Sequence, residues 1–306
     1  MNEKEKDILE ALRKKLLSTK HVIEEDFLDV NDNNKTQKCI YYLRRYEDNV
    51  FACKNHSEDF DNGRGGETKF NKRWQVIPMA SLRSSAALTW NIFGDEKTCL
   101  LKQKWNLSAG EYVLNYEWNK SETIPGHYAN LDAYLHNDDN CHLFVEMKML
   151  EPLTRSHPFN SIDRYLEKDI CPEAFQKAII DFQKKEPLFF DAFQMIKHLL
   201  AIYNYCKKME YKKRQKVVLL NCHWEPSEDY KNKHSFYSNR TISLEETYKE
   251  FKKTADRFVA MLDGDINFKA LFNDIKVDLE LAYCKHDELI DIVGKKNDRY
   301  LERYEI

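Results

Sequence analysis

The chain has 306 residues, 42% of them hydrophobic, with 17 Tyr, 17 Phe and 5 Trp; this is enough apolar mass for a sizeable core and excludes disorder by composition. With 48 basic and 51 acidic side chains the formal net charge is -3, which excludes coating nucleic acid through bulk charge but allows a local basic groove. No run of about 18 apolar residues is present to span a bilayer. The opening "MNEKEKDILEALRKK" lacks the apolar stretch of a secretory signal, and eight cysteines without a CxxC spacing point to free thiols in a reducing cytoplasm.

Ile8, Leu9, Leu12, Leu16 and Leu17 recur at helical spacing and predict a helix over 4–17. "DVNDNNKTQ" reads as a polar loop, and a short helical stretch is expected around "CIYYLRRY". "KNHSEDFDNGRGGETKFNKRW", with three glycines in four positions from Gly63, is the most loop-like segment. "SLRSSAALTWNIFG" reads as a helix, with Ser84 as a candidate cap and Gly94 ending it. Strands are expected at "EYVLNYEWN", "ANLDAYLH" and "CHLFVEMKM". Past Pro172 the spacing turns helical, in "EAFQKAIIDFQKK" and "LFFDAFQMIKHLLAIYNYCKKM". A strand "KVVLLNCHW", a helix "LEETYKEFKKTADRFVAML", a strand "IKVDLELAYC" and a last helix through "DELIDIVGKK" follow. The pattern predicts one α/β domain whose mixed sheet is flanked by helices, with an N-terminal helical extension over about 1–60 and a core over about 63–290.

The strand "CHLFVEMKM" carries Glu146 and Lys148 inside an apolar run, and charges in a buried strand need partners. Two residues apart, they share a face. The turn-rich "HNDDN" joins this strand to the one bearing Asp132 as an antiparallel hairpin. Asp132 shares the face of Glu146 only if paired residue numbers sum to an even value. The sum 132 + 146 = 278 fits the turn best and requires an odd loop, Asp138–Asn140 or Asn137–Cys141. The two Cα atoms then lie roughly 4.5–5.5 Å apart, and the carboxylates repel unless a divalent cation lies between them. Few carboxylates with water completing the shell suit Mg²⁺, for which Mn²⁺ can substitute. Lys148 beside such an ion can position or deprotonate a water. A salt-bridged cluster on a half-exposed strand satisfies the same spacing. Acid-x-Lys triplets recur at Asp95, Glu210, Asp229 and Glu250, but only the Glu146 triplet sits in an apolar strand with an acid on the partner strand. Glu117 falls on the preceding strand, where it is either an additional acid or an exposed carboxylate. Gln194 and His198, i and i+4 on an apolar helix, share one face. His127, His136, His142 and His157 lack zinc spacing and are expected at the surface. "KKMEYKKRQK" is expected to be a solvated helix end or a phosphate contact.

Asp132, thirteen intervening residues and Glu146-Met147-Lys148 resemble the PD-(D/E)xK nuclease superfamily, the restriction-endonuclease-like fold. "GRGGE" ending at Glu67, "SSAALTWN" from Ser84 to Asn91 and "DAFQMIKHLLAIY" extend the resemblance, to a bacterial branch, over residues 63–205. Leu131 stands where that family places a proline before the aspartate. The resemblance implies an αβα mixed sheet and metal-dependent hydrolysis of DNA phosphodiester bonds. Mg²⁺ would be held by Asp132, Glu146 and the carbonyl of Met147, with Lys148 acting on the attacking water. Glu67 and Glu117 would be auxiliary acids, and Gln194 and His198 a polar pair near the metal. It implies double-stranded DNA as partner, no membrane, and a homodimer as one assembly open to a duplex cutter. A nuclease fold that holds nucleic acid without cutting it, and a structural ion-pair cluster, are the alternatives.

Overall fold

The computed structural model describes residues 2–28, 41–50, 57–62, 66–72, 76–94, 96–153, 161–167, 169–184, 189–234, 242–294, 300 and 303–306. Helix α1 (Glu3–Ser18) opens the chain behind a reciprocal cap, in which Asn2 accepts from the Glu5 backbone and Glu5 accepts from that of Asn2. Helices α2 (Ser57–Asn62) and α3 (Ser85–Phe93) precede the strands β1 (Thr98–Leu101), β2 (Gly110–Trp118), β3 (Glu122–Ile124), β4 (His127–Tyr128), β5 (Leu131–His136) and β6 (Cys141–Lys148). Helices α4 (Asp163–Leu166), α5 (Glu173–Gln183) and α6 (Ala192–Met209) lead to β7 (Gln215–His223). Helices α7 (Glu228–Lys233), α8 (Leu244–Gly264) and α9 (Ile266–Asp274) lead to β8 (Val277–Lys285), which α10 (His286–Val293) follows.

Six strands form one mixed sheet in the order β1-β2-β5-β6-β7-β8, and β3 pairs with β4 apart from it. The strands from β1 to β6 pair antiparallel, while β6, β7 and β8 run parallel. Nearly every residue of β6 and β7 is buried, as expected where helices cover both faces, and this is why their apolar runs do not alternate. On one face Ala133, Val145, Met147 and Leu220 pack in one cluster with residues of α1, α3 and α10. On the other, Tyr134, Phe144, Val217 and Leu281 pack with α5, α6, α8 and α9.

Two local expectations fail. Around "CIYYLRRY", Leu43 bridges to Phe27 and Tyr42 to Ser81 instead of turning helical; Cys39 and Ile40 lie outside the described residues. Pairing with the chain on either side outweighs the local helical pattern, since Leu43 N–H donates to Ala80 O and Arg44 N–H to Asp26 O. The segment read as most loop-like contains α2, because Phe60 is fully buried between Trp90 and Tyr116, each 4.9 Å away ring to ring; Gly63 lies outside the described residues. Among the described residues no helix is long and apolar enough to cross a membrane. Cys99, Cys141, Cys171, Cys206, Cys222 and Cys284 are buried free thiols.

Candidate active site

The pairing of β5 with β6 runs from Ala133↔Val145 to His136↔His142, so paired numbers sum to 278. Asn137 N–H donates to Cys141 O and closes the odd loop Asp138–Asn140, in which Asn140 takes a left-handed φ of 59°. This register puts Asp132 opposite Glu146. The ladder stops there. Continued, it would point Met147 N–H at Leu131. Met147 N–H donates instead to Asp132 Oδ2 at 2.6 Å. The strands thus part at the level of the two carboxylates.

Helix α6 brings the polar partners. Asp191 caps it by accepting from Gln194 N–H, which sets its first turn beside the end of β6. Glu146 Oε1 accepts from Lys148 Nζ at 2.6 Å and from Gln194 Nε2 at 2.8 Å, and Lys148 Nζ also donates to Gln194 Oε1 at 2.7 Å. His198 Nε2 lies 3.0 Å from Glu146 Oε2, yet neither atom has an aligned hydrogen-bond partner. Burial alone would raise the Glu146 carboxyl, but Lys148 and His198 outweigh it and hold it down at about 2. Burial lowers the ammonium of Lys148, and Glu146 and Glu151 outweigh that, so its pKa rises above the ordinary lysine value. Asp132 differs. It keeps some surface open but is enclosed by protein, and lost hydration, then Glu146 and Glu117, raise it well above the usual carboxylate range, with Lys148 offsetting only part. Among the described residues Asp132 makes no ion pair.

Glu117 is buried, which removes the exposed-carboxylate reading. The flanking pairs Tyr116↔Ala133 and Trp118↔Leu131 put it opposite Asp132, so Glu117, Asp132 and Glu146 form one row across three strands. Its backbone is left-handed, φ 50°, a conformation that costs a non-glycine residue about 1–3 kcal/mol. The kink turns the strand over: Tyr116 packs in one core cluster and Trp118 in the other. The Glu117 carboxylate accepts from Asn130 Nδ2. Burial pushes it up to about 7, with Glu67 and Glu146 adding and Asn130 opposing. Glu67, itself raised by burial, is within electrostatic reach of Glu117.

The predicted residues therefore converge, with Glu67 at the margin. Ser84 is a plain cap, accepting from Ala87 N–H, and Asn91 binds Asn49 O and Tyr304 Oη. His142, expected at the surface, is buried between Tyr134 Oη at 2.8 Å and Gln215 Oε1 at 3.0 Å; only the pairing of β6 with β7 supplies the second partner. His127 is exposed, His136 is partly buried, and His157 lies outside the described residues. Asn221 and His223 are the β7 neighbours of Glu146 and Lys148, and the sequence marks them in the same way as Glu146: both are polar side chains in an apolar run, "KVVLLNCHW".

The oxygens that can face a hard cation are the Asp132 carboxylate, Glu146 Oε2, and the carbonyl of Met147, which leaves the chain on the same side as its N–H. Among the described residues no three His, Cys, Asp or Glu side chains already form a metal cage, so water would have to complete any shell. Comparison with protein-family models, with curated proteins and with solved structures gave no match.

Proposed function

We propose that the chain is a metal-dependent nuclease of restriction-endonuclease-like fold that hydrolyses phosphodiester bonds of DNA, with Asp132, Glu146 and the Met147 carbonyl holding Mg²⁺. The observation that carries the reading is a surplus of negative charge. Glu146 is compensated by Lys148, Gln194 and His198, whereas Asp132, directly opposite, makes no ion pair among the described residues, and Glu146 Oε2 has no aligned donor among them. An ion-pair cluster accounts for the first set and leaves Asp132 unexplained. A bound Mg²⁺ supplies the missing charge, lowers the pKa of a coordinated water and offsets charge developing on phosphate.

The residues divide the remaining work. Lys148 has three N–H donors, of which Glu146 and Gln194 use two; the third is available to a water or a phosphate oxygen. Its raised pKa keeps it an ammonium, so it positions the nucleophile and steadies the phosphorane charge and does not itself take the proton. Gln194 locks both Lys148 and Glu146 in place. The test is incubation of supercoiled plasmid and of linear single strands with Mg²⁺, Mn²⁺ or EDTA. Cleavage with metal, absent in EDTA and in Lys148→Ala, supports the reading. Metal-independent cleavage, or no cleavage of any nucleic acid, contradicts it.

A further inference from the structure

A second polar cluster lies on the same sheet edge. The C-terminal ends of parallel β6, β7 and β8 share the side on which open α/β sheets bind ligands. The row Lys148↔His223↔Lys285 crosses it, so Lys285 lies two strand spacings, roughly 10 Å, from Lys148. A cleft of about 670 Å³ opens there, lined by His223, Glu225, Glu228, Lys231, Tyr248 and Lys285 among others. Glu225 is buried, and its Oε2 lies 2.5 Å from Lys285 Nζ and 3.1 Å from Lys231 Nζ. The same two lysines reach a second carboxylate: Glu228 Oε1 is 2.6 Å from Lys231 and 3.6 Å from Lys285.

Those two carboxylates differ. The side chain of Glu225 is 8% exposed and that of Glu228 is 68% exposed. Lys231, itself buried, cannot follow Glu228 into solvent. Removing Glu228 would leave two ammonium groups on one carboxylate, facing a cleft. The wall also holds two buried polar atoms without hydrogen-bond partners among the described residues, His223 Nδ1 and Tyr248 Oη, on rings stacked 6.2 Å apart. Burial lowers the His223 pKa, with Glu225 opposing.

We infer that Lys231 and Lys285, covered by the displaceable carboxylate of Glu228, form a phosphate-binding subsite for the nucleic-acid strand adjoining the scissile bond. The inference rests on the nuclease reading above for the identity of that strand. A phosphodiester presents one negative charge and paired oxygens, as the Glu228 carboxylate does, and can take its place on the same two lysines. Of the acids on the rim, Glu245 is paired with Lys249 at 2.6 Å and Glu288 with Lys104 at 2.8 Å. Asp287 and Asp291 also line the cleft, whose acids outnumber its lysines, so binding proceeds by exchange at the lysine pair and not through a broad positive field.

The experiment is equilibrium binding of a fluorescent single-stranded oligonucleotide in EDTA, with inorganic phosphate and a 5′-mononucleotide as competitors. It compares the parent chain with Glu228→Gln and Lys285→Gln. Neither substitution strips Lys231 from Glu225, and thermal melts check that both variants fold. Glu228→Gln should bind the oligonucleotide about tenfold more tightly and Lys285→Gln about tenfold more weakly, with the salt slope of the latter reduced by about one. Oligonucleotide affinity unmoved by both variants overturns the subsite, even where metal-dependent cleavage is intact. Phosphate and mononucleotide responding while the oligonucleotide does not also overturns it, by showing that the lysines serve a free phosphate. Because the readout is binding without metal, a chain that never cleaves can still show the predicted pair of shifts.

Discussion

The two polar clusters on this sheet edge use the same parts with opposite surpluses. Each centres on a buried glutamate whose carboxyl is held down at about 2 against the effect of burial. Glu146 is met by Lys148 at 2.6 Å and His198 at 3.0 Å. Glu225 is met by Lys285 at 2.5 Å, Lys231 at 3.1 Å and His223 at 3.5 Å. Beside Glu146 stands a further carboxylate, Asp132, without a cation; beside Glu225 stands a further cation, screened by exposed Glu228. An enclosed cluster that is one positive charge short favours a cation, and one whose second carboxylate, Glu228, is exposed and displaceable favours an anion in its place. The sign of the remainder, not the presence of buried ionic groups, separates a candidate metal centre from a candidate phosphate site.

The comparison breaks first on removal of one buried carboxylate from each cluster. Glu225→Gln leaves two lysines with one exposed carboxylate and should cost about 3 kcal/mol of stability, read by urea denaturation. Asp132→Asn removes repulsion in the metal-free protein, so in EDTA its stability should hold or rise; an equal loss in both variants would mean that the clusters do not differ in sign. Next, Lys148→Ala should lower the cleavage rate by about 10²–10³ while leaving the fold and nucleic-acid binding largely intact. Loss of binding with the chain still folded would make this lysine a phosphate anchor. Mg²⁺ or Mn²⁺ at about a hundred times its Kd should stabilise the parent by about 2.7 kcal/mol and leave Asp132→Asn unmoved in thermal melts.

The smallest effect is in the pH profile. Asp132 and Glu117 have folded pKa values above their unfolded ones, so the folded state holds their protons more tightly. Their stabilisation is full below about pH 4 and is lost as pH rises, for Glu117 through about 7. Glu146 and Glu225 act in the other direction: their stabilisation is full above about pH 4.3 and lost as pH falls toward about 2. Metal-free Glu117→Gln should therefore melt higher than the parent at pH 8, with the gap closing toward pH 5. A gap that does not change between pH 8 and pH 5 would show that Glu117 is charged throughout.

The hairpin that carries Asp132 and Glu146 was legible because parity leaves few registers and the turn residues choose among them. That Gln194 and His198 share a face was legible from helical spacing; that this face meets Glu146 followed only from the family resemblance. The left-handed backbone at Glu117 was not, since "EYVLNYEWN" alternates like an ordinary strand and only the change of core face between Tyr116 and Trp118 exposes the kink. The second cluster was invisible for a topological reason. Glu225 and Lys231 lie six residues apart, but Lys285 reaches them only because β7 and β8 run parallel and pair His223 with Lys285. The triplet Asp229-x-Lys231 has no apolar strand around it to mark it out, yet Lys231 is buried. β1, α7, α9 and the β3–β4 hairpin were also unread, being short or weakly periodic.

The central claim is that the surplus negative charge between β5 and β6 is a metal site, and a crystal soaked in Mn²⁺ and measured at a wavelength where manganese scatters anomalously tests it most directly. The account predicts an anomalous peak between the carboxylates of Asp132 and Glu146, with Glu146 Oε2 among its ligands, and no peak there in Asp132→Asn crystals. Absence of that peak in parent crystals whose Lys148–Glu146 bond is intact would contradict it and leave Asp132 as part of an ion-pair cluster without an enzyme.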